Sequence, residues 1–115
     1  MIHKENDELF DSLLLELRRG TIVLSVMSLL NTSQYGYSLV VLLEEKGIPV
    51  DAGTLYPLLR RLEKQNLLES SWDTEASKPR KYYVLSEYGR EIYERLSKSW
   101  FEMARNMENL LKGKE

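Results

Sequence analysis

Apolar positions along the chain change their spacing from one stretch to the next, and each spacing predicts an element. From Asp7 to Leu17 the residues Leu9, Phe10, Leu13, Leu14 and Leu17 recur at three- and four-residue steps, the mark of an amphipathic helix. Gly20 punctuates the chain. Ile22 to Leu30 is apolar on nearly every side, so this short helix is expected to be buried as the core helix. Asn31 to Gly36 reads as a turn. Tyr37 to Lys46 reads as a helix with Leu39, Val40, Leu42 and Leu43 inward, stopped by Gly47 and Pro49.

Asp51 is placed as the N-cap of a helix that runs to about Gln65 and buries Leu55, Leu58, Leu59 and Leu62. Asn66 follows it as a left-handed C′ residue. Alternation at Leu68, Ser70 and Trp72, and again over Tyr82 to Leu85, predicts two short strands around the polar loop Asp73 to Pro79. That pattern is a β-hairpin, or wing. Ser86 caps a last helix with Glu87 and Arg90 in its first turn, reaching about Lys112. Along it Tyr93, Leu96, Trp100, Met103, Met107 and Leu110 form a heptad seam. The expected fold is mainly α with a small β-hairpin. It amounts to a winged helix-turn-helix with its N-terminal helix over residues 1–86, joined to a long C-terminal dimerisation helix over 87–115.

Size narrows the picture to one structural domain, because 115 residues with 43% hydrophobic content support one modest core. The chain has no cysteine, so neither disulfides nor a thiolate metal site are available, and no cofactor or metal is expected. Its start is acidic and polar, and no run of 18 or more apolar residues occurs, so the expectation is a cytoplasmic protein without a membrane partner. An enzyme is poorly supported. The single histidine, His3, lies at the terminus, and no nucleophile, base and orienter stand at recognisable spacing.

A net charge of −2 argues against a polyanionic partner, but the charge is unevenly distributed. Residues 52 to 84 hold six Lys/Arg (Arg60, Arg61, Lys64, Lys78, Arg80, Lys81) against four acids (Glu63, Glu69, Asp73, Glu75), a local +2. With its leucines inward, the helix after Asp51 shows Thr54, Tyr56, Pro57, Arg60, Arg61 and Lys64 on its opposite face. A major groove admits one α-helix, Arg and Lys meet guanine or phosphate, and Thr meets a thymine methyl. Lys78, Arg80 and Lys81 in the hairpin are placed to reach flanking phosphate or the minor groove. Double-stranded DNA fits these residues as a partner, but Arg and Lys on an exposed helix face are equally what a solvated surface shows, so charge and periodicity leave both readings open. Pro57 adds weight, since a proline inside a helix costs about 3 kcal/mol and such local violations mark functional places. Tyr37 can reach a phosphate from its helix start, whereas Tyr35, Tyr82 and Tyr83 read as packing residues.

The run Gly53-Thr54-Leu55-Tyr56-Pro57-Leu58-Leu59-Arg60-Arg61-Leu62-Glu63 stands between Tyr35-Gly36-Tyr37 and Lys81-Tyr82-Tyr83-Val84-Leu85-Ser86-Glu87 with Gly89. Together these resemble the motifs of the PadR family over roughly Arg19 to Arg90. The resemblance implies a bacterial winged-helix repressor that dimerises through its C-terminal helix and leaves its operator when a small molecule binds. It implies that Gly36 opens a helix, that Thr54 to Lys64 lie on the recognition helix, and that Lys78 to Lys81 belong to the wing. Asn66 departs from the usual Gly, Ser86 from Thr, and Tyr88 from a small residue. The length is similar to the family branch with a single C-terminal helix. In some members of that branch a tryptophan faces its symmetry mate and stacks flat ligands, a role implied for Trp100, with Leu96 and Met103 beside it.

A homodimer interface is expected from Tyr93, Leu96, Trp100, Met103, Met107 and Leu110, with Leu9, Leu13 and Leu17 of the first helix adding a second apolar face. A planar aromatic effector is the expected small-molecule partner. The competing reading is a winged-helix protein-interaction module that does not bind DNA, an alternative that the acidic balance keeps open.

Overall fold

The spacings translate into helices wherever one face has a core to meet. The computed structural model describes residues 4–75 and 77–113, with the side chains of 4–6 left aside. His3 lies outside the described residues. Helix α1 spans Lys4–Arg19 and α2 Ile22–Ser28, followed by a two-residue strand β1 at Gln34–Tyr35. Helix α3 spans Gly36–Glu45, α4 Ala52–Lys64, strands β2 and β3 Leu68–Asp73 and Arg80–Leu85, and helix α5 Glu87–Leu111.

The core collects one stripe from each of three helices and one face of the sheet. Val26, Met27 and Leu30, Leu39 and Leu43, and Leu55, Leu58, Leu59 and Leu62 are buried together with Leu68, Tyr83 and Leu85. Each such leucine contributes about 1.5–3 kcal/mol by leaving water. The stripe expected of α4 is the one observed. In α3 the pattern is narrower than expected, because Leu39 and Leu43 are buried while Val40 and Leu42 are half-buried.

Two expectations are corrected. Residues 31–36 are not all turn: Gln34 and Tyr35 pair antiparallel with Tyr83 and Tyr82, so the hairpin becomes a three-stranded sheet of order β1-β3-β2. The segment from Ile22 is not buried on all sides either. The helix ends at Ser28, only Val26 and Met27 within it are fully buried, and Ile22, Val23 and Leu24 are half-buried. Its second face looks out on an apolar groove rather than into the core.

Helix ends explain how the elements are held at fixed angles. Helix α4 closes with Asn66 at φ 64°, its N–H donating to the Glu63 carbonyl at 3.0 Å and the Leu67 N–H to the Leu62 carbonyl at 3.0 Å. This is a Schellman closure, with Asn in the left-handed position where Gly is commonest. Gly47 closes α3 in the same way at φ 79°. Ser86 caps α5, its Oγ accepting the Gly89 N–H at 2.9 Å while donating to the Asn66 carbonyl at 2.7 Å. The Ser86 N–H also donates to the Leu67 carbonyl at 3.0 Å, and the Leu85 N–H to the Leu30 carbonyl at 2.8 Å. The end of α4 is thereby bonded directly to the start of α5.

Candidate nucleic-acid interface and apolar groove

Helix α4 turns its leucines inward, so its opposite face is left to solvent. Thr54, Tyr56, Pro57, Arg60, Arg61 and Lys64 are all exposed there. Asp51 occupies the N-cap with extended backbone, but its carboxylate does not accept a backbone N–H; Oδ1 instead accepts the Thr54 hydroxyl at 2.8 Å. The Thr54 hydroxyl hydrogen is thus committed, and its methyl and lone pairs remain to face outward. The helix continues through Pro57 without a break. Proline has no N–H to give the carbonyl four residues back, which leaves the Gly53 carbonyl outside the helical ladder.

The sheet stands beside this helix. Tyr37, at the start of α3, is 61% exposed, whereas Tyr83 is buried and Tyr35 half-buried. A cleft of about 310 Å³ separates α4 from the hairpin, with Tyr56 and Arg60 on one wall and Trp72, Pro79 and Lys81 on the other. Four contacts and one exposure in this region were invisible in the sequence. The Arg80 guanidinium lies 4.7 Å over the Tyr35 ring, which itself meets Tyr82 edge-on at 5.6 Å. The Trp72 indole is 62% exposed. Glu63, on the flank of α4 facing the sheet, takes the Lys81 ammonium on Oε1 at 2.9 Å and the Ser70 hydroxyl on Oε2.

Lys81 therefore differs from the other expected DNA-facing cations. Among the described residues the ion pairs are Lys81–Glu63 and Lys112–Glu108, and none involves Arg60, Arg61, Lys64, Lys78 or Arg80. The Ser70 hydrogen bond, followed by the Lys81 ammonium, holds the Glu63 carboxyl below the usual carboxylate range, and the same contact with Glu63 raises the Lys81 ammonium.

A second feature lies at the far side. Between the Leu17–Leu24 stretch and the outer half of α5 runs an apolar groove of about 760 Å³, lined by Leu17, Val23, Leu96, Trp100, Met103 and Met107 among others. Trp100 is 40% exposed, and Phe101, which heptad spacing did not select, meets it edge-on at 5.3 Å. Leu9, Leu13 and Leu110 are exposed and do not line the groove. Tyr93 packs partly against its own chain's core. No described helix is long and apolar enough to cross a membrane.

A reading helix flanked by a three-stranded wing, carried on a long terminal helix, defines a winged-helix DNA-binding transcriptional regulator. The sequence profile of the transcriptional regulator PadR-like family matches residues 23–95, and the chain belongs to that family. It is a regulator, not an enzyme. It is similar to the crystal structure of a PadR family transcriptional regulator from Eggerthella lenta, 45% identical with a TM-score of 0.90 over 95% of this chain and 97% of that one. A PadR-like transcriptional regulator from Bacillus cereus is 28% identical, with a TM-score of 0.75 over 86% of this chain and 99% of that one. An uncharacterised protein of Lysinibacillus sphaericus is 26% identical over 91 residues, 76% of this chain and 84% of its own length.

Proposed function

We propose that the protein is a homodimeric, ligand-responsive repressor acting in the cytoplasm on a dyad-symmetric operator. The observation that carries the DNA reading is the division of α4 into a buried leucine stripe and a solvent-facing stripe of Thr54, Tyr56, Arg60, Arg61 and Lys64. Two copies of α4 enter successive major grooves about 34–36 Å apart. Tyr37, Lys78 and Arg80 contact the flanking backbone.

Residues 87–115 supply the dimer contact. Leu96, Trp100, Met103, Met107 and Leu110 form an apolar strip on α5 that a second copy covers, and the Leu9, Leu13 and Leu17 face of α1, where Leu17 is 72% exposed, closes over it. In that dimer a planar aromatic compound stacks on Trp100 beside Leu96 and Met103. Its entry spreads the two α5 helices, and the bonded joint at Asn66, Leu67 and Ser86 passes the spread to α4.

Two measurements test the reading. Sedimentation should show a dimer at micromolar concentration, and duplex affinity should fall steeply with added salt in proportion to the phosphates neutralised. A dimer with no salt-dependent duplex binding would instead support a protein-interaction module. If dye quenching of tryptophan fluorescence survives Trp100→Ala, Trp100 belongs to the dimer core alone.

A further inference from the structure

Glu63 touches both strands of the wing from the flank of the reading helix. Ser70 lies on β2 and Lys81 on β3, both on the side of the hairpin turned to α4, where Ser70 pairs across the ladder with Tyr83 and Trp72 with Lys81. One carboxylate oxygen takes the hydroxyl and the other the ammonium. The Lys81 ammonium also stands 5.2 Å over the ring of Tyr83, a buried residue, so it is held from the core side as well. Leu68, Tyr83 and Leu85 pin the inner end of the hairpin. The Glu63 contacts pin it further out, and beyond the Trp72–Lys81 pair only Asp73 and Arg80 remain in register before the loop.

We propose that Glu63 is a positioning and selectivity residue of the DNA interface: it fixes the attitude of the wing against the recognition helix and withholds the Lys81 charge from DNA phosphate. This rests on the DNA-binding reading above. The wing's grip on the backbone then comes from Lys78 and Arg80, while Lys81 and Glu63 cancel within the locally basic third of the chain. A partly exposed ion pair contributes little to stability, typically about 0–1 kcal/mol. The consequence of this pair lies in geometry and in which cations DNA meets. Freed from Glu63, Lys81 gains the reach to bind any phosphate regardless of sequence, which raises non-specific binding and erodes discrimination.

The test uses the full chain and a short mixed-sequence duplex, with affinity measured by anisotropy across a KCl series. Lys78→Ala should flatten the salt slope by about 1 per subunit, the value for one lost phosphate contact. Lys81→Gln should leave the slope at the wild-type value. Glu63→Gln, which keeps an acceptor for Ser70, should steepen the slope by about 1 per subunit, and Glu63→Gln with Lys81→Gln should restore it. Against a duplex selected by the wild-type protein from a random pool, Glu63→Gln should lose roughly tenfold in discrimination, about 1.4 kcal/mol. Flattening by Lys81→Gln to the extent seen with Lys78→Ala, or an unchanged slope in Glu63→Gln, would overturn the proposal while leaving DNA binding intact. A wild-type protein with no salt-dependent binding would overturn the DNA reading itself.

Discussion

The ring of Tyr56 lies against the Cα of Gly36, so close that a Cβ at position 36 would overlap ring carbon Cε1. Residue 36, at the start of α3, has no side chain where the Tyr56 ring of α4 comes to rest. Tyr56 is itself at the surface, so its ring has room to swing outward. Gly36→Ala should therefore cost little stability, about 1 kcal/mol or less, while displacing a side chain of the DNA-facing stripe. Thermal denaturation should barely change, and duplex affinity should fall.

Gly89 has the opposite character. A Cβ there would overlap the backbone carbonyl oxygen of Leu67, which is already bonded to the Ser86 N–H. No side chain can move aside. Gly89→Ala should destabilise the protein by about 1–3 kcal/mol or more and loosen the joint between α4 and α5, visible as a clear loss in denaturant midpoint.

Asn66 holds a left-handed backbone at φ 64° with no glycine to relieve it. Asn66→Ala should cost about 1–2 kcal/mol, the penalty of that conformation for a residue with an ordinary side chain. Asn66→Gly should be neutral or slightly stabilising. Urea unfolding of the two variants side by side decides the matter.

Base readout and backbone contact should separate by substitution. Arg60→Ala and Thr54→Ala should each weaken binding to a selected duplex by about 1–3 kcal/mol with smaller losses on random sequence, whereas Lys78→Ala should weaken all duplexes alike. Thr54→Ala also releases Asp51, so it should lower thermal stability slightly where Arg60→Ala does not. Parallel losses on both duplexes for all three variants would show that α4 is not the reading element.

The pH dependence follows from the directions of two shifts. Glu63 is lowered in the folded chain, so its stabilisation is complete above its ordinary value of 4.5 and is lost as pH falls through the still lower folded value. Lys81 is raised, so its share is complete below 10.5 and is lost as pH rises through its higher folded value. The gap in melting temperature between wild type and Glu63→Gln should be constant between these limits and shrink outside them.

What could be read in the chain alone was local. The buried stripe of α4, the Ser86 cap, the left-handed Asn66 and the hairpin strands follow from neighbours within one helical turn or one strand pair, where side-chain periodicity and backbone sterics act. The exposed stripe from Thr54 to Lys64 followed as the complement of the leucines. Tertiary structure decided the rest. Gln34 and Tyr35 are too few to show alternation and become a strand only because β3 offers them a free edge. The Lys81 ammonium and the Glu63 carboxylate are 18 residues apart, and the Ser86 hydroxyl and the Asn66 carbonyl 20 apart. No periodic pattern carries that pairing. Whether a lysine faces DNA or is neutralised within its own chain depends on which carboxylate packing brings within 3 Å, and that distance exists only once the helix and the wing have closed on their common core.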